Sequence, residues 1–174
     1  YVGGFINGNI AGVINGVWIA GTIQAAEDQA GKWEITNLPK LDGIDGATNF
    51  SANGGSSWAI SKTGDFDLAA DFLKSTFAGS TEFYDIILPK AGAVANWIPA
   101  GASAVYAEPQ PFFNDQPVFQ MVVEFGAKVP ANNTGVYYYE ARDAVSAALT
   151  KVIGGGDMAA SLAEAQSTVE FAMN

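Results

Sequence analysis

The chain contains neither cysteine nor histidine. Their absence removes disulfides, cysteine nucleophiles, thiolate and imidazole metal ligands, and a serine–histidine–aspartate triad together. No catalytic residue, cofactor or metal is therefore expected. Basic residues are scarce: 8 Lys and Arg stand against 18 Asp and Glu, for a net charge of −10. Nucleic acid is bound through basic faces that meet phosphates, so it is disfavoured as a partner. An anionic membrane surface is disfavoured for the same reason. The acidity favours solubility and neutral or cationic ligands. No apolar run reaches the roughly 18 residues of a bilayer-spanning helix. The opening Tyr1-Val2-Gly3-Gly4-Phe5 lacks the basic flank of a signal peptide. The lack of cysteine does not by itself fix a compartment.

What is present is enough for a core. The chain has 174 residues, 49% of them hydrophobic, well above the composition of a disordered segment. Apolar patterning predicts strands at about 9–15, 32–36 and 57–61, with Pro39 ending the second. Helices are predicted over 19–29, closed by Gly31, and over 66–77, capped by Asp65. Further helices are predicted over 80–88, 102–106 and 118–127. A long one runs over 137–152 and is stopped by Gly154-Gly155-Gly156. A last one is capped by Asp157. Tyr138, Ala141, Val145, Ala148 and Val152 recur at helical spacing along the long helix. Met158, Leu162, Ala165 and Val169 form the buried stripe of the last. Residues 39–53, 89–101 and 129–133 read as loops or connectors. Few strands among many helices imply an α/β or α+β layer arrangement.

The most telling stretch is Gly8-Asn9-Ile10-Ala11-Gly12-Val13-Ile14-Asn15-Gly16-Val17-Trp18. An apolar strand runs into Asn15-Gly16, a pair that tolerates positive φ and turns tightly, and Trp18 follows. A Trp at a strand end lies where crevices open in α/β sheets. Its indole offers a flat apolar face and one N–H donor. That face suits a sugar ring, and it equally suits a place in the core.

This Asn-Gly-x-Trp segment resembles the sugar-stacking segment of the extracellular solute-binding proteins that serve carbohydrate ABC transporters (solute-binding protein family 1). Three further segments resemble the family in the same order. They are Asn53-Gly54-Gly55-Ser56-Ser57-Trp58-Ala59-Ile60-Ser61 with the helix after it, Pro111-Phe112-Phe113-Asn114-Asp115-Gln116-Pro117-Val118-Phe119, and Tyr137-Tyr138-Tyr139-Glu140-Ala141-Arg142 with Ile153-Gly154-Gly155-Gly156-Asp157. The resemblance implies an α/β fold, part of a two-lobe periplasmic-binding-protein-like architecture with a helix-rich C-terminal part. It implies that this chain is the C-terminal portion of a longer protein, with a secretion signal and most of one lobe upstream. Residues 1–36 and 92–174 would belong to the C-terminal lobe, and 40–90 to the N-terminal lobe. The implied function is non-catalytic binding of an oligosaccharide in an interlobe cleft, for delivery to permease subunits. The implied location is extracellular, as a membrane-anchored lipoprotein or in the periplasm. A chain cut in this way would be covered by the missing half or by a second copy, in a segment-swapped dimer.

Trp18 is the leading stacking residue under that resemblance, and Tyr138 resembles a second aromatic platform. Three successive tyrosines on a helix cannot all face one side, so one of them is exposed or lines a cleft. Gly54, Gly55 and Ser56 form either a plain turn or a loop whose N–H groups and hydroxyl approach a ligand. They are no phosphate loop, because no Lys follows and a strand, not a helix, comes next. Trp97, between two prolines, is a candidate third contact or lid residue. Trp33 and Trp58 read as structural. A glycosidase would need a carboxylate pair in matched environments. Asp65 and Asp157 read as helix caps, and Glu140 with Asp143 reads as a solvated cluster beside Arg142. A glycoside hydrolase fragment and a protein-binding surface module remain as alternatives.

Overall fold

A computed structural model of the chain describes residues 2–131 and 134–174. Tyr1 and the Asn132-Asn133 part of the expected connector lie outside the described residues. Seven α-helices are present among these: α1 (Val2–Ile6), α2 (Ile19–Ile23), α3 (Phe66–Ser75), α4 (Thr81–Ala91), α5 (Val118–Gly126), α6 (Tyr138–Ile153) and α7 (Met158–Ala172). Single 3-10 turns occupy Glu27–Gln29, Ile98–Ala102, Ala104–Ala107 and Pro111–Phe113. The chain forms two compact units, residues 1–130 and 131–174.

No strand forms among the described residues; one antiparallel bridge pairs Gln110 with Gln116. This corrects the expected strands at 9–15, 32–36 and 57–61, and the α/β class is not observed. Residues 32–36 show why alternation was insufficient. Both polar groups of Ile35 are taken by one side chain: its N–H donates to Gln116 Oε1 at 2.7 Å, and its C=O accepts from Gln116 Nε2 at 3.0 Å. The Gln116 amide supplies the two bonds that a neighbouring strand would have supplied, so the segment is extended without a ladder.

Helix ends follow the expected chemistry. Asp65 Oδ1 accepts from the Leu68 N–H at 3.0 Å, and Asp157 Oδ1 accepts from the Ala160 N–H at 2.8 Å. Ser80 caps α4 through the Phe83 N–H at 3.0 Å. The α4 helix runs through Pro89, which the sequence reading placed in a loop. It ends instead at Gly92, left-handed at φ 60°, whose N–H returns to the Leu88 carbonyl.

In residues 1–130 the core is assembled from short pieces. Ala20 of α2, Phe113 and Val118 pack together, with Val17, Trp33, Ile35 and Phe112 around them. Phe5 is fully buried and meets the Trp33 ring edge-on at 6.1 Å. A buried glutamine ties these parts. Gln29 Nε2 donates to the carbonyls of Phe5 and Ile6 at 2.7 and 3.1 Å, and Gln29 Oε1 accepts from Trp33 Nε1 at 2.7 Å. Trp58 is largely exposed rather than in the core, and covers Phe77 at 4.8 Å between ring centres.

In residues 131–174, α6 and α7 form an antiparallel hairpin, tied at the surface by Lys151 Nζ and Glu164 Oε2 at 2.6 Å. The buried seam consists of Ala148, Ser161 and Ala165. Ala148 and Ala165 belong to the expected helical stripes, but Met158 and Leu162 of the last helix's buried stripe are exposed, as are Tyr138 and Val145, because the helices meet on their smallest residues, which let the backbones approach closely.

Candidate functional site

Trp18 is placed by what surrounds it in sequence. Val17 packs toward the core and Ala20 and Ile23 are buried in α2. The first turn of α2 therefore faces inward on those residues and turns the Trp18 side chain outward, 56% exposed. The core alternative for Trp18 is not what the structure shows.

The structure also corrects the reason for the glycine before it. Neither Asn15 nor Gly16 has a positive φ, and no strand precedes them. Gly16 is needed for proximity: a Cβ on it would collide with Cζ3 and Cη2 of the Trp18 ring. A Cβ on Gly54 would stand 3.4 Å from the same Cη2, and Gly54 has φ +92°. Gly16 thus lies over one face of the six-membered ring, and Gly54, from a distant part of the chain, lies near its Cη2 edge. Asn53 Nδ2 donates to Asn15 Oδ1 at 3.1 Å, and the Gly16 N–H donates to the same oxygen at 2.8 Å.

Gly55 has φ +125°, and Gly54, Gly55 and Ser56 are exposed. No hydrogen bond among the described residues uses their N–H groups. They form a short run of polar donors, of which Gly54 lies close to the exposed indole. The structure thus brings Trp18 together with Gly54 in one place, and Ser56 follows two residues later. Sequence reading had picked these residues separately. It missed Asn15 and Asn53 as partners, since a hydrogen bond across 38 residues leaves no local signal.

The other candidates are Trp97 and Tyr138. Trp97 is half-buried and precedes the turn Ile98–Ala102. Tyr138 opens α6 in the other unit, 45% exposed, with its ring 5.3 Å from that of Tyr139. Arg142 sits over the Tyr139 ring at 5.0 Å and pairs with Asp143 at 2.8 Å. Asp143 raises the Arg142 pKa, first through that hydrogen bond and then through its charge. Glu140 and Asp143 are both exposed. No group of His, Cys, Asp and Glu suited to a metal ion occurs among the described residues, and no described helix is long and apolar enough to cross a membrane.

Two concavities are present, neither lined by Trp18. An open cleft of about 390 Å³ lies beside Trp33, Asn7, Asp28 and Lys32. Its buried amide, Gln29, already spends both N–H groups and its oxygen on the protein, so it organises the fold instead of facing a ligand. A second, of about 370 Å³, follows the α6–α7 seam along Ala144, Ala148 and Ala165.

The chain is similar to a lactose-binding protein. That protein, from Rhizobium radiobacter, is 40% identical over 150 residues, which cover 86% of this chain and 35% of the relative. The chain thus spans about a third of the length of the curated relative it matches. No family model matches the chain, and no solved structure matches it.

Proposed function

We propose that this chain is the C-terminal part of a carbohydrate-binding protein and holds an oligosaccharide by stacking on Trp18. The supporting observation is the exposed indole set between Gly16 and Gly54, in a chain similar to a protein named for lactose binding. An exposed indole offers a sugar its flat apolar face. The donors of Gly54, Gly55 and Ser56 stand beside it for ring hydroxyls, and no charge is needed for either contact. Tyr138 serves as a second platform and Trp97 as a peripheral contact. The role is binding without turnover, outside the cytoplasm, on a lipoprotein or periplasmic carrier that delivers its ligand to ABC-transporter permease subunits. In this reading residues 40–90 belong to one lobe, and 1–36 with 92–174 to the other, about an interlobe cleft. The apolar faces that remain exposed are covered by further chain or by a second copy.

Calorimetric titration with lactose and a panel of neutral oligosaccharides tests the proposal. Saturable heat with at least one of them is expected, lost in Trp18→Ala. Release of product from a chromogenic glycoside, or no heat with any glycan, would refute it.

A further inference from the structure

The Trp18 side chain is 56% exposed, so the core alone does not fix where its outer edge lies. The junction at that edge is directional. A peptide N–H can only donate, so the Gly16 N–H at 2.8 Å requires the oxygen end of the Asn15 amide. That oxygen has a second lone pair, and Asn53 meets it with its NH₂ end at 3.1 Å. Asn15 therefore accepts twice and Asn53 donates. Among the described residues no other hydrogen bond joins residues 9–18 to residues 50–58. Directly beyond Asn53, the bare Cα of Gly54 lies against the ring edge.

We infer that Asn15 and Asn53 form a one-way latch that holds the Asn53–Gly55 loop against Trp18 and so sets the position of the indole. Both are positioning residues, and the inference rests on the reading of Trp18 as the sugar platform. If the loop swings away, the N–H groups of Gly54 and Gly55 leave the indole's side and the edge loses its neighbour.

Two substitutions of equal size and charge give opposite results under this account. Asn15→Asp keeps an oxygen that accepts from both donors. Asn53→Asp removes the donor and sets two acceptors face to face. The readout is fluorine NMR of the chain labelled with fluorotryptophan. Its four tryptophans give resolvable signals, and Trp18 is assigned by its loss in Trp18→Phe. The Trp18 resonance should stay in place in Asn15→Asp, and should move and broaden in Asn53→Asp. The other three should stay unmoved in both. Lactose affinity should fall about fivefold in Asn53→Asp alone, the factor that corresponds to one net hydrogen bond. A Trp18 resonance that stays put in Asn53→Asp, or moves equally in both variants, would overturn the latch. If lactose fails to move the Trp18 resonance of the unaltered chain, the sugar reading fails, while the latch is still decided by the Asn53→Asp spectrum.

Discussion

Gly16 does not have a positive φ, and a Cβ on it would collide with the Trp18 ring, which would have to move. Gly16→Ala therefore adds no backbone strain and acts only by displacing the indole. Under the proposed function, we expect sugar binding to weaken by about tenfold or more, a loss typical of a dislodged aromatic anchor. The thermal midpoint should barely change, since the ring is largely in water and surface changes stay within about 0.5 kcal/mol. Equal losses of binding and stability would make Trp18 a packing residue instead. Tyr106 is the contrasting case. It is buried, and its Oη accepts the Ala95 N–H at 3.1 Å. Tyr106→Phe strands that N–H and should cost about 1–3 kcal/mol in urea unfolding at neutral pH. The residue scale was partly legible in the sequence. Trp18 stood out by its place after Asn15-Gly16, but the reason given for the glycine, positive φ, was the wrong one. Close approach depends on where a side chain folds back, and local sequence does not encode that.

At the scale of elements, the longer helices were legible, whereas α1 was not foreseen, the helix expected over 19–29 stops at Ile23, that over 102–106 is 3-10 turn, and the strands do not form. Asp65 and Asp157 announced their helices because a cap is a contact three residues long. The extended segments were misread because alternation predicts only a strand's faces, while its edges depend on a partner. For residues 32–36 the partner is the single side chain of Gln116, 81 residues away. The hairpin shows the same limit from the other side. Its helical spacing picks out Ala148 and Ala165, which form the seam, together with Met158 and Leu162, which are exposed. That seam makes a prediction: Ala165→Leu should overpack it and lower stability by about 1–3 kcal/mol, seen as loss of helical circular dichroism at a lower temperature. Leu162→Ala should be close to neutral. The reverse order would mean that the larger residues, not the small ones, hold the two helices together.

For the whole molecule, the buried tyrosines set an alkaline limit. Burial pushes the Tyr84 phenol above its ordinary 10.0, helped by Tyr106. Burial also raises Tyr106, with Asp85 adding to it and the Ala95 N–H opposing. The folded chain thus keeps protons that the unfolded chain releases first. Their contribution to stability is complete below the ordinary tyrosine value and is lost as pH rises through the folded values. The urea midpoint should hold steady to that point and then fall as tyrosinate absorbance grows. Phe66, Phe72, Leu149, Ile153 and Phe171 remain exposed, which is the physical basis for expecting the chain to associate. Light scattering should find more than one copy per particle; a strictly monomeric chain would contradict that expectation. The similarity to a sugar-binding protein was legible from the order of four motifs, none specific alone. The junction of Asn15, Gly16, Trp18 and Gly54 was not, because it exists only once residues 9–18 and 53–55 meet. The most direct test of the central claim is tryptophan emission titrated with lactose, in the unaltered chain beside Trp18→Phe. The account predicts a saturable change that disappears in Trp18→Phe. A change that persists there would place the sugar elsewhere and contradict it.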